Sequence, residues 1–111
     1  MSRDWRFYAE DILSCCAKVK RYIGDHTRES FIADERTFDA VVRNSEIIGE
    51  AAKHLPEEIR EQHPEIPWRS VAGFRDVVAH AYFGLDDQAV WSVATTRLEA
   101  LAVAARRILS S

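Results

Sequence analysis

Apolar residues recur at steps of three and four along three long stretches of this chain, and that spacing commits it to helices that pack on one another. The first stripe is Trp5, Tyr8, Ile12, Cys15 or Cys16, Val19 and Tyr22. The second is Phe38, Val41, Ser45, Ile48, Ala52 and Leu55, and the third is Val90, Val93 with Ala94, Leu98, Leu101, Ala105 and Ile108. No alternating strand pattern with a hairpin turn competes with them. Four glycines and three prolines in 111 residues leave few breaks. The spacing predicts a helix from about Arg3 to Ile23, stopped by Gly24 as a left-handed C-cap. A second helix should run from an Asp34 cap to Pro56, and a last one from an Asp86 cap to about Leu109. Residues 25–34 read as a loop with one helical turn around Glu29 to Ile32. Pro56 suits the first position of a short helix, "IPWRSVAG" a turn or single 3₁₀ turn, and Phe74 to Phe83 a short helix ending at Gly84. Three long helices plus short ones, joined by short connections, predict an all-α antiparallel bundle forming one domain over residues 1–111.

Composition removes several function classes. Apolar residues make up 47% and charged residues 30%, an ordinary globular balance. The longest apolar run, Ala100 to Ala105, is far short of the roughly 20 residues that span a bilayer. The N-terminus is too charged for a signal-peptide core, so the expectation is a cytoplasmic protein without membrane contact. Cys15 and Cys16 are adjacent, where a mutual bond would be strained, and no C-x-x-C spacing exists. They read as reduced thiols, at least one of them packed in a helix face. His26, His54 and His63 fall on loops or helix ends without zinc-site spacing, and no glycine-rich phosphate loop is present. No metal and no cofactor are expected. A net charge of −3 argues against coating nucleic acid by bulk charge and against a DNA-binding domain. It leaves room for RNA at a local cluster of arginines.

The second long helix carries more apolar surface than one stripe needs, through Val42, Ile47 and Ala51. Such a helix requires more than one neighbour, either within the chain or from a second subunit. Arg43, Asn44 and Glu46 interrupt that surface. They are candidates to line a groove, although a surface ion pair between Arg43 and Glu46 accounts for two of them more simply. Arg106 and Arg107 suit the end of the last helix, where cations favour its dipole. Trp5, Trp68 and Trp91 read as core or interface anchors ahead of base-stacking platforms.

Chemistry concentrates in "GFRDVVAHAYFG", Gly73 to Gly84. At about 100° per residue, Val77, Val78 and Ala81 share one side of a helix, and Arg75, Asp76, Ala79, His80 and Tyr82 share the other. Asp76 and His80 are four apart and can touch, which would favour a protonated imidazole and a general acid near neutral pH. Arg75 offers a planar fork of donors suited to phosphate, and Tyr82 a supporting hydroxyl. Arginine with histidine is a sufficient toolkit for RNA cleavage by the neighbouring 2′-hydroxyl. A solvated amphipathic helix accounts for the same pattern without catalysis.

The run "RDVVAHAY" reads R-x4-H-x-Y. With "RNSEIIGEAAKHLP", the "HPEIPW" turn and the "HAYFGLD" exit in that order, nearly the whole chain resembles the HEPN-domain proteins, specifically their HepT-like branch. The resemblance implies an all-α bundle that forms a homodimer, and a ribonuclease toxin encoded beside a minimal nucleotidyltransferase antitoxin. It implies that Arg75 and His80 are the catalytic pair, facing one groove with the same residues of a second subunit. Tyr82 would be the site where the partner adds AMP to silence the toxin. The commonest residue after the arginine is asparagine; Asp76 instead brings a negative charge close to where phosphate would sit, and could tune His80 or weaken cleavage. A non-catalytic helical subunit that docks a nucleotidyltransferase or a nucleotide is the competing reading.

Overall fold

A computed structural model describes residues 4–82 and 87–110, with backbone alone for His80–Tyr82. Among the described residues there is no strand. Eight α-helices follow one another: α1 Trp5–Ile23, α2 Arg28–Ala33, α3 Glu35–Lys53, α4 Glu57–Glu61, α5 Trp68–Ala72, α6 Phe74–Tyr82, α7 Asp87–Ser92 and α8 Leu98–Ser110. A π-helical turn, Val93–Arg97, joins α7 to α8. Among the described residues no helix is long and apolar enough to cross a membrane.

The ends of the helices follow from their caps. Gly24 takes φ 44° after α1, and its N–H donates to the Lys20 carbonyl at 3.1 Å. Asp34 caps α3 as expected, its carboxylate accepting from the Thr37 N–H at 3.2 Å. The stretch read as a loop with one turn is instead the full helix α2. Thr27 and Ser30 exchange side-chain and backbone bonds in a capping box, and Phe31 anchors the helix in the core against Phe38 and Trp91. Pro56 is the N-cap of α4 rather than its first residue, because its carbonyl accepts from the Ile59 and Arg60 N–H groups while its own backbone is extended. "IPWRSVAG" contains the α-helix α5, held by Trp68, whose indole N–H donates to the Arg60 and His63 carbonyls. The expected start at Arg3, the end at Phe83–Gly84 and the Asp86 cap lie outside the described residues.

The last helix departs most from expectation. Its buried stripe runs Val90, Val93, Leu98, Leu101, Ala105, Ile108, and the step from Val93 to Leu98 is five residues. An α-helix would put Arg97 where the stripe needs an apolar side chain. One extra residue in the turn restores the register, and the Leu98 N–H donates to the Val93 carbonyl, five residues back. Thr95 and Thr96 hydroxyls donate to the Trp91 and Ser92 carbonyls.

Helix α1 packs on α3 and on α8. The Tyr8 ring stacks on His54 with centroids 4.5 Å apart, which joins the start of α1 to the end of α3 and makes the two antiparallel. Helices α2, α5 and α6 cover the rest of α3, and α6 also packs on α7. Val42 and Ala51 are consequently buried within the chain and Ile47 is half-buried. The extra apolar surface of α3 is accounted for by these neighbours and does not itself require a second subunit. A close approach is made at Gly49, where a Cβ would stand 3.0 Å from the Val71 carbonyl oxygen and 3.5 Å from Phe74 Cβ. A glycine in α3 thereby sets how near the α5–α6 junction can lie.

Candidate active site

Helix α6 is positioned from below by Phe74 and Val78, both buried, with Val77 half-buried against α7. Its N-terminal end is continuous with α5 except at Gly73. The Gly73 N–H donates to the Arg69 and Ser70 carbonyls, and its carbonyl accepts from the Asp76 N–H at 2.9 Å. Arg75, Asp76 and Ala79 are exposed. For Val77, Val78, Arg75, Asp76 and Ala79 the two sides fall as the helical spacing predicts. Neither Arg75 nor Asp76 is hydrogen-bonded or ion-paired to another described residue through its side chain. His80 and Tyr82 belong to the α6 backbone; their side chains, and any Asp76–His80 contact, lie outside the described residues.

The three candidate residues of α3 are not placed alike. Asn44 is buried and turned onto its own helix, its Nδ2 donating to the Ala40 carbonyl at 2.8 Å. Arg43 is exposed and Glu46 half-buried, and the expected ion pair between them does not form among the described residues. Both cysteines are buried, in keeping with the expectation of at least one. Burial pushes the Cys16 thiol up to about 12, with the neighbouring Cys15 thiol adding to it, and raises Cys15 as well. Neither thiol is a nucleophile near neutral pH. His26 sits beside Ser30 and Asp34, His54 beside Tyr8 and Glu50, and His63 beside Glu65. Among the described residues no group of three His, Cys, Asp or Glu side chains could hold a metal ion.

One pairing near α6 escapes sequence reading. Arg97 Nη1 donates to the Ser70 hydroxyl at 2.7 Å, across 27 positions. Neither residue belongs to the R-x4-H-x-Y motif; the five-residue step in the last stripe is the signal that marks Arg97 as turned out of the core.

The outer face of α5–α6 is thus an exposed helical ridge bearing Arg69, Arg75 and Asp76, with position 80 on the same helix. It can offer guanidinium donors to an anion, and position 80 follows Arg75 by five residues along the same helix. Comparison with known proteins is consistent in direction. A protein of Thermococcus cleftensis named as a probable ribonuclease HepT is 42% identical over 82% of this chain and 83% of its own length. A protein of Caldanaerobacter subterraneus subsp. tengcongensis provisionally named as an RNase is 38% identical over 94% of this chain and 93% of its own. Another so named, from Methanocaldococcus jannaschii, is 34% identical over 86% and 79%. No solved structure matches the chain significantly. The family model described as HepT-like, ribonuclease HepT-like, matches residues 12–108, so the chain belongs to the HepT-like ribonuclease family.

Proposed function

We propose that this protein is a metal-independent endoribonuclease, the toxin of a toxin–antitoxin pair, with Arg75 and His80 as its catalytic residues. Family membership, together with the R-x4-H-x-Y run on a single helix whose Arg75 is exposed and unpaired among the described residues, carries the reading. The 2′-hydroxyl of the RNA attacks the adjacent phosphorus and the bond to the 5′-oxygen breaks. Arg75 stabilises the charge that builds on the phosphate oxygens, and His80 protonates the leaving oxygen. The products are a 2′,3′-cyclic phosphate and a 5′-hydroxyl. Tyr82 supports the site, and AMP addition at its phenol by a minimal nucleotidyltransferase antitoxin silences the enzyme. Two chains place their α6 helices across one groove, and tRNA is the favoured substrate class. The cell compartment is the cytoplasm.

The test is RNA cleavage by purified protein without its partner, in the presence of EDTA, beside Arg75→Ala and His80→Ala. Cleavage by the parent alone, with cyclic-phosphate ends, is the expected result. A His80→Ala protein that still cuts at the parent's rate would sink the assignment. No cleavage by any of the three would favour the second reading, a binding subunit for the nucleotidyltransferase. The exposed Asp76 beside Arg75, repelling phosphate, is the observation on its side.

A further inference from the structure

Arg97 closes the π turn, is exposed, and is held by a neutral hydroxyl, Ser70 Oγ. Ser70 and Arg75 lie on one nearly continuous helical path through Gly73, about 8 Å apart along its axis at about 1.5 Å per residue. That path buries Val71, Phe74 and Val78. At about 100° per residue, Ser70 falls on the flank of Val77, which shares a small hollow with Val90 and Val93, and Arg75 falls on the opposite flank. Between the two flanks runs the outward ridge of Arg69, Asp76 and Ala79, all exposed. The ridge is therefore bounded by an arginine on each side, one from α6 and one from the π turn.

A tie to a hydroxyl does not need a charged donor, since a neutral one makes the same kind of bond. The acceptor is a neutral hydroxyl, and among the described residues no carboxylate pairs with Arg97. Among the described residues one of its five N–H donors is occupied, and that bond orients the rest of the planar fork toward an anion. The π turn accommodates the five-residue step in the core stripe, and Arg97 at its end reaches Ser70. Single-turn π insertions of this kind recur at functional sites.

We propose that Arg97, oriented by Ser70, contacts a backbone phosphate of the RNA substrate adjacent to the phosphate served by Arg75. The strand then crosses the α5–α6 ridge with a cation on each flank, and the arrangement supplies local positive charge in a chain of net charge −3. This rests on the ribonuclease reading above.

The test uses His80→Ala protein, so that RNA persists, and a short fluorescein-labelled single-stranded RNA of mixed sequence. Its affinity is measured by anisotropy over a series of salt concentrations, with Arg97→Ala, Arg97→Lys and Ser70→Ala added in turn. Arg97→Ala should weaken binding several-fold at low salt and reduce the slope of log K against log salt by about 0.7, the loss of one phosphate contact on a single strand. Arg97→Lys should keep most of that slope, and Ser70→Ala should weaken binding while keeping it. A purely structural tie would lower the melting temperature of Arg97→Ala and leave the slope unchanged, and that result overturns the proposal. If the His80→Ala protein binds no RNA at any salt, the ribonuclease reading itself falls and takes this one with it.

Discussion

At the scale of single residues, burial decides more than residue type. Cys15 and Cys16 are both enclosed between α1 and its neighbours, and desolvation holds their protons on. An unfolded thiol loses its proton near pH 8.5, whereas folded Cys16 keeps it up to about 12. The native state therefore binds more protons than the unfolded chain between those values, and stability must fall as pH rises through that window while being insensitive to these groups below it. Urea denaturation at about pH 7.5 and about pH 9.5 should show the alkaline loss in the parent and a smaller loss in the Cys15→Ala/Cys16→Ala double variant. An equal loss in both would show that the two thiols are not its source. The same contrast separates Arg75 from Asn44. Both are polar residues on helices that pack against the core, but the wheel of α6 puts Arg75 outside, while Asn44 lies on the crowded α3 and satisfies itself on the Ala40 carbonyl.

At the scale of elements, α3 acts as the axle on which the site segment is mounted, and Gly49 sets the clearance. Alanine there would gain helix propensity but push a Cβ to 3.0 Å from the Val71 carbonyl, a backbone atom with little room to move. Gly49→Val adds two methyl groups to that contact and loses the propensity gain, so it should cost ~1–3 kcal/mol in urea denaturation, and should impair RNA cleavage beyond its effect on stability by displacing α6. A valine variant as stable and as active as the parent would show that α5 is free to move away. Much of this layer was readable beforehand. The three stripes include Ile12, the cysteines and Val19 of α1, Val41, Ser45, Ile48 and Ala52 of α3, and Leu98, Leu101, Ala105 and Ile108 of α8, all buried, because 3.6-residue periodicity is local information; they miss Ala9, Asn44, Gly49 and Ala104, and their Trp5, Tyr8, Tyr22 and Phe38 are only half-buried. Helix α2 was under-read because its stability comes from Phe31 packing on Phe38 and Trp91, a tertiary contact that no short window contains. The π turn was written in the Val93-to-Leu98 step, but a stripe that allows three, four or five hides it. The Ser70–Arg97 bond was not legible at all, since nothing local links two polar residues 27 positions apart.

At the scale of the whole molecule, the geometry of α6 poses a problem that one chain does not solve. Positions 75 and 80 are five residues apart, so they stand about 140° apart around the helix axis. Two positions that far apart around one short helix do not face a common point. A two-fold axis beside α6 removes the difficulty. In such an interface residue i of one subunit meets residue j of the other and the reverse holds equally, so Arg75 of each chain can stand opposite His80 of its partner. Under the proposed function this predicts a particle of twice the 12.7 kDa chain mass by light scattering. It also predicts complementation. A heterodimer of Arg75→Ala and His80→Ala chains retains one intact site, built from the arginine of one chain and the histidine of the other, and one doubly disabled site. Random exchange makes half of the dimers mixed, so an equimolar mixture of the two inactive proteins should recover roughly a quarter of the parental cleavage rate. If mixed dimers form, as seen by mass spectrometry of differently tagged chains, and no cleavage returns, then each chain carries its own Arg75–His80 pair. The shared groove would then be wrong even though the residues were right.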